Sequence, residues 1–178
     1  MTYDNFERDE DFLTDGYSSE YLIANAIEQS KSIQICNLNS KAFAAAIQGD
    51  PAGRKYLRLA EPFLIRDFAT NAIDELGRTV YTLPDLATLP VVSIVDYVLG
   101  LKYYVEFSGC CIGIDVAINY ESAGKKLRQQ RELKSVYSRS IFDKIAILIV
   151  DKEWDSQILE SQLKTVVESK EIIQIIDL

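Results

Sequence analysis

Histidine is absent from this chain of 178 residues. That absence removes Ser-His-Asp and Cys-His catalysis, histidine-ligated zinc and histidine general bases together. Cysteine is scarce: Cys36, Cys110 and Cys111 form an odd set, and an adjacent pair neither bridges to itself easily nor has the spacing of a zinc knuckle. Buried free thiols are the expectation. Long apolar runs are missing too. A stretch such as Ile145 to Val150 falls far short of the roughly 20 residues that span a bilayer. Met1 to Glu10 is acidic and polar, without the basic start and apolar middle of a secretory signal, so a cytoplasmic location is expected. Positive charge is in deficit, with 19 Lys and Arg against 27 Asp and Glu and a net charge of −8. A surface that binds nucleic acid all over is excluded, because phosphate contacts depend on Lys and Arg; any such binding must be local. Chemistry is left to carboxylates, lysines, hydroxyls or a metal ion.

What is present is the material of one domain of ordinary size, 48% hydrophobic and 26% charged, with no low-complexity run and no repeat. Ser18 or Ser19 can cap a helix running to about Ser30. A second, alanine-rich helix is expected over Ser40 to Gln48, stopping at Gly49-Asp50-Pro51. From Ala52 to Leu76 the residues Tyr56, Leu59, Phe63, Leu64, Phe68, Ala72, Ile73 and Leu76 recur at spacings of three and four, which predicts a long amphipathic helix ending at Gly77, with Pro62 as a break or kink. Arg78 to Leu83 is a short strand and Pro84 to Pro90 a loop.

Three segments rich in β-branched and aromatic residues follow: Val91 to Leu99, Lys102 to Phe107 and Cys110 to Asn119. Gly100 and Ser108-Gly109 separate them, and the last two should form a hairpin. A basic helix, Ser122 to about Ser138, has Ala123, Leu127, Gln130, Leu133 and Tyr137 along one face. Lys144 to Val150 reads as a strand buried on both faces. A helix around Trp154 to Ser169 and a strand Ile172 to Ile176 complete the order. The predicted class is α/β, a mixed central sheet flanked by helices, with a crossover from the third strand through the basic helix into Lys144 to Val150.

In the segment from Cys110 to Asn119 the even positions Ile112, Ile114, Val116 and Ile118 are large and aliphatic and should line the main core face. Asp115 and Ala117 then point to the opposite face, beside Gly113 and Cys111, which leave space there. An acid in so apolar a strand costs several kcal/mol if buried and unpaired, so it needs a partner, a metal or water. An exposed sheet face or one structural hydrogen bond satisfies the same requirement. Asp96 lies in a second strand-like segment. In an antiparallel meander the two carboxylates can converge on one magnesium ion, with Glu106 as a third candidate. Lys125, Lys126, Arg128, Arg131, Lys134 and Arg139 are the one concentrated run of positive charge, either a solvated helix face or a phosphate-contacting strip.

Val-Asp-Tyr-Val-Leu around Asp96, the Ser108-Gly109 turn, Ile-Gly-Ile-Asp-Val-Ala-Ile-Asn around Asp115, the basic helix and Lys-Ile-Ala-Ile-Leu-Ile-Val together resemble the core of the restriction-endonuclease-like, PD-(D/E)xK superfamily. The resemblance covers roughly Glu61 to Val150. It implies that Asp96 takes the place of the first acid and Asp115 that of the second, with Mg²⁺ bound between them and water attacking a phosphodiester in line. Val95 stands where the family has proline. Ala117 stands where it has the lysine that positions the water, and Lys125 or Lys126 is the migrated replacement. Glu61 or Asp67 fills the place of an acid on the preceding helix.

On this reading residues 1–51 are a helical extension, 52–151 the nuclease-like core and 152–178 a closing helix and strand. The function implied is a metal-dependent nuclease. Its alternative is a catalytically inactive member serving as a nucleic-acid or protein interaction module, for which Ala117 speaks. An unrelated α/β protein with structural aspartates is the third reading. The apolar strand Ile172 to Ile176 offers an edge through which a homodimer could pair.

Overall fold

The computed structural model describes residues 19–138, 141–150 and 154–177. Five strands form a mixed sheet in the order β1-β4-β5-β6-β7. Its members are β1 (Gln34–Ile35), β4 (Tyr103–Phe107), β5 (Cys110–Ala117), β6 (Lys144–Ile149) and β7 (Ile173–Ile176). β4 runs antiparallel to both β1 and β5, while β5, β6 and β7 are parallel to one another. The expected hairpin is β4–β5, turning at Ser108 and Gly109, which both have positive φ. The expected crossover runs from β5 to β6, and the structure makes the two strands parallel. The sheet draws on all three stretches of the chain, since β1 precedes residue 52 and β7 follows residue 151.

Both faces are covered. On one, Val105, Ile112, Ile114, Val116, Ala146 and Leu148 pack against Ile23, Ala26 and Ile27 of helix α1 (residues 19–29) and Leu159, Leu163 and Val166 of α7 (Ser156–Glu168). The other face carries α2 (Ser40–Gly49), α3 (Pro51–Phe68), α5 (Tyr120–Glu132) and α6 (Lys134–Tyr137). Asn39 and Asp50 cap α2 and α3 with their side chains. Gly53 lets α3 start against α2: a Cβ there would lie 2.2 Å from the Ile47 carbonyl oxygen. The alternation expected along β5 holds from Ile112 to Ala117, but Ile118 lies beyond the strand and is exposed.

Four expectations need correction. The helix predicted over Ala52 to Leu76 passes through Pro62 without ending and stops at Phe68. Thr70–Ile73 (β2) and Thr79–Thr82 (β3) then form a separate two-stranded hairpin. Asp74 closes its turn by accepting from the N–H groups of Leu76 and Arg78, a local geometry that outweighs the helical spacing of Ala72, Ile73 and Leu76.

Val91 to Leu99 is helical, not a strand: α4 (Val91–Ile94) continues into a turn of π spacing, Val95–Leu99. Its β-branched residues favour strand, but Ile94, Val95, Val98 and Leu99 fall on one helical face and are buried there. Burial decides against propensity. Cys36 and Cys111 are joined in a disulfide and Cys110 alone is free; folding brings together two cysteines 75 positions apart, which spacing along the chain cannot reveal. Finally, the space foreseen above Gly113 is filled, because a Cβ there would meet Leu101 Cδ1 at 2.7 Å and Ile145 Cδ1 at 2.9 Å.

No helix of the described residues is long and apolar enough to cross a membrane.

Candidate acid–lysine site

Asp115 sits in the middle of β5 on the face covered by α5, and its residue exposure is 1%. The connection from β5 to α5 is short. Asn119 caps the helix, accepting from the Ser122 N–H, while the Ser122 hydroxyl accepts from the Asn119 N–H. This box turns the chain directly back over the strand it has just left. Ala123 packs beside Ala117, Ile147 and Ile149. Lys126 lies one turn further, about 4.5 Å along the helix axis, over the position two residues back along β5. Its Nζ donates to Asp115 Oδ1 at 2.7 Å. The same oxygen accepts from the Val116 N–H at 2.8 Å. Further along the same face, Gln130 donates to the Leu99 carbonyl and accepts from the Tyr137 hydroxyl.

A second lysine completes the cluster. Lys102 donates its N–H to the Ile114 carbonyl at 2.8 Å where the chain enters β4, and its Nζ lies 3.1 Å from Asp96 Oδ1 and 3.5 Å from a Glu20 carboxylate oxygen. Asp115 and Asp96 are therefore each matched to a lysine of their own, and Lys102 also acts electrostatically on Asp115.

The energetics follow from burial. Desolvation pushes the Asp115 carboxyl above its ordinary value of 3.8 and outweighs Lys126, the Val116 N–H and Lys102, all of which favour the ionised form. Burial works to lower the Lys102 ammonium, but Asp96 and Glu20 outweigh it and hold the group above 10.5. Tyr137 is driven well above 10, first by burial and then by the negative field of Asp115.

The remaining candidates disperse. Asp96 lies on the π turn, not on a strand, and meets Lys102 instead of a metal partner. Lys125 pairs with Glu121 at 2.8 Å on the outer side of α5 and does not reach Asp115. Lys126 is turned inward, so it leaves the outward basic strip that had been expected to include it. Arg128, Arg131 and Lys134 are exposed along α5 and α6. Arg139 lies outside the described residues.

Glu61 is exposed on α3. Asp67, at the end of that helix, is held to about 2 by Arg66, with the Tyr97 hydroxyl donating at 2.6 Å. Glu106 is exposed on β4 and lines a cleft of about 320 Å³ with Cys36, Asn37, Asn39 and Cys111.

A magnesium ion requires several free oxygen ligands. Asp115 is buried, with Oδ1 taken by an ammonium and an N–H, and Asp96 is committed to Lys102. Among the described residues no three His, Cys, Asp or Glu side chains form a group able to hold a metal ion. The donor set as it stands does not fit the ion.

Lys102 is the residue that sequence reasoning missed. Its signal was available: it lies six residues before Ser108, as Asp115 lies six after Gly109, so a hairpin with a two-residue turn brings the two to the same end of the ladder. No protein-family model, curated protein or solved structure matches the chain.

Proposed function

We propose that this chain is a nucleic-acid-binding module built on a nuclease-like α/β core, in which the acid–lysine cluster locks the architecture and does not hydrolyse phosphodiesters. The observation that carries the reading is the division of labour along α5 and the start of α6. Lys126 turns inward and neutralises Asp115, whereas Arg128, Arg131 and Lys134 stay exposed, and none of these three has a salt-bridge partner among the described residues. Arg128 and Arg131 are one helical step of about 4.5 Å apart on α5, and Lys134 opens α6 just beyond the Leu133 cap. This gives an acidic chain one local strip suited to a phosphate backbone. The nuclease-like part of the reading rests on the β4–β5 hairpin, the crossover helix, the parallel β6 and the mid-strand acid. The helical setting of Asp96 departs from that pattern.

The test is fluorescence anisotropy of a labelled single- or double-stranded oligonucleotide against salt. Binding should weaken linearly in log–log form as salt rises, and Arg128→Glu with Arg131→Glu should abolish it at moderate salt while leaving the melting temperature in place. Equal binding by wild type and variant sinks the proposal.

One observation favours an active, magnesium-dependent nuclease as the second reading. A lysine does stand at the Asp115 carboxylate, where the resemblance calls for one and Ala117 lacks it. On that reading Lys126 and Asp115 are the catalytic pair, and Mg²⁺-dependent cleavage that disappears in Asp115→Asn identifies it.

A further inference from the structure

The Cys36–Cys111 disulfide lies on the wall of an open cleft of about 320 Å³. Cys36 is buried and Cys111 half-buried, so Cys111 is the more accessible of the two. Asn37, Asn39 and Phe43 line the cleft beside the bond, and Glu106 is the one charged residue in its described lining.

The bond joins two unequal partners. Cys111 is held on the β6 side by Asp143, whose carboxylate accepts from the Cys111 N–H at 2.8 Å and whose own N–H donates to the Cys111 carbonyl at 2.9 Å. Cys36 directly follows β1, a strand of two residues, both exposed. That strand meets β4 only through the pairs Gln34–Glu106 and Ile35–Val105, extended by the Cys36 N–H, which donates to the Tyr104 carbonyl at 3.2 Å. Opening the disulfide therefore leaves β5 in place and leaves β1, between the buried Ile33 and α2, on that short ladder alone. Cys110 is next to Cys111 but packs with the core on the opposite face of the sheet. This internal thiol does not face the bond, so an attacking thiol has to come from solution.

We infer that the cleft is a thiol–disulfide exchange site: a small uncharged or cationic dithiol enters it, opens the Cys36–Cys111 bond in the folded protein and releases β1 from the edge of the sheet. A thiolate of the reagent bonds to Cys111 Sγ as the S–S bond breaks, and the electron pair leaves on Cys36 Sγ. The reagent's second thiolate then attacks its first sulfur, which expels Cys111 as a thiolate and closes the reagent's own disulfide. Two electrons pass from the dithiol to the protein, and the two protons the reagent lost end on Cys36 and Cys111. Glu106 selects the charge of the reagent. It faces Cys111 across the β4–β5 ladder, and because the Cys111 N–H and carbonyl turn to Asp143, theirs is the closer, non-hydrogen-bonded kind of pair. A carboxylate so placed repels an anionic thiol and attracts a cationic one.

Reduction of the full chain by excess dithiothreitol, in urea below the unfolding transition, tests this. The rate should be proportional to dithiothreitol and flat in urea, since a bond reached only through unfolding reacts faster with every increment of denaturant. Cys110→Ser should react at the wild-type rate. On reduction, amide exchange at Cys36 and at Glu106, whose N–H the strand alternation turns to β1, should accelerate about tenfold more than at Ile112 to Val116. At matched thiolate concentration cysteamine should outpace 2-mercaptoethanesulfonate, and Glu106→Gln should narrow that gap about twofold. A rate that climbs with urea, exchange at Glu106 that reduction leaves unchanged, or a gap untouched by Glu106→Gln overturns the inference.

Discussion

Lys126 reaches back from α5 to place its Nζ 2.7 Å from Oδ1 of Asp115, the acid in the strand that feeds that helix. The Asp115 side chain is 2% exposed and that of Lys126 29%, so removing one partner has unequal consequences at the two ends. Lys126→Met leaves a carboxylate inside the protein with a single N–H donor, and breaking a buried pair in this way costs about 3 kcal/mol or more. Asp115→Asn leaves an ammonium that can turn to solvent and should cost less. Urea denaturation of both variants and of the double variant checks this; the double variant should recover much of the Lys126→Met loss, and simple additivity would contradict the pairing.

The pH dependence has a definite sign. The folded-state Asp115 carboxyl titrates above its ordinary 3.8, so the folded state holds its proton more tightly than the unfolded chain. Its contribution therefore favours folding at low pH, is lost as pH rises from 3.8 through the folded value, and is constant above that. The stability of wild type relative to Asp115→Asn should fall across that window. Asp67 behaves oppositely: its contribution is present above 3.8 and lost as pH falls through about 2. A wild-type minus Asp115→Asn difference that rises with pH contradicts the assignment.

Two glycines are fixed by close approach. In Gly53→Ala the new methyl meets backbone, Ile47 O at 2.2 Å, which cannot move without separating α2 from α3. A loss of about 3 kcal/mol is expected, at the upper end for overpacking. Gly113→Ala meets the ends of the Leu101 and Ile145 side chains, which can rotate, so about 1 kcal/mol is expected. Thermal melts of the two variants should preserve this order.

The disulfide closes a loop with a sequence separation of 75, and the chain-entropy relation assigns about 4 kcal/mol to such a loop. Cys36→Ser should lower stability by that order. Thiol counting on the denatured, unreduced protein should find Cys110 alone; three reactive thiols would contradict the bridge.

Much of the architecture was legible in the chain. The alternation of Ile112, Ile114 and Val116 placed Asp115 on the opposite face, and the Ser108-Gly109 turn announced the β4–β5 hairpin. The unbroken apolar run of β6 implied a strand buried on both sides. What failed was local propensity wherever burial or a turn decided otherwise. Val91 to Leu99 is β-branched yet helical because four of its apolar residues reach the core only in that form. Thr70–Ile73 left the predicted helix because Asp74 and Gly77 make a turn.

At the site, Asp115 was found and Lys126 was offered as one of two lysines. Its inward aim follows from its place three residues after Ala123, on the face that continues to Gln130 and Leu133. Lys102 was legible from the register of the expected β4–β5 hairpin and was passed over, whereas the Cys36–Cys111 bridge depends on β1 becoming the neighbour of β4, which no spacing along the chain reveals.

Whether the acid–lysine cluster cuts nucleic acid separates a binding module from a nuclease. The most direct measurement is to incubate the purified chain with labelled single- and double-stranded oligonucleotides and Mg²⁺ or Mn²⁺, following binding and product together. Salt-dependent binding through Arg128 and Arg131 is expected, with a log–log slope that falls by about 1 for each phosphate contact removed, and oligonucleotides left intact. Cleavage that requires the metal and vanishes in Asp115→Asn would contradict the binding-module reading and make the cluster a hydrolytic centre.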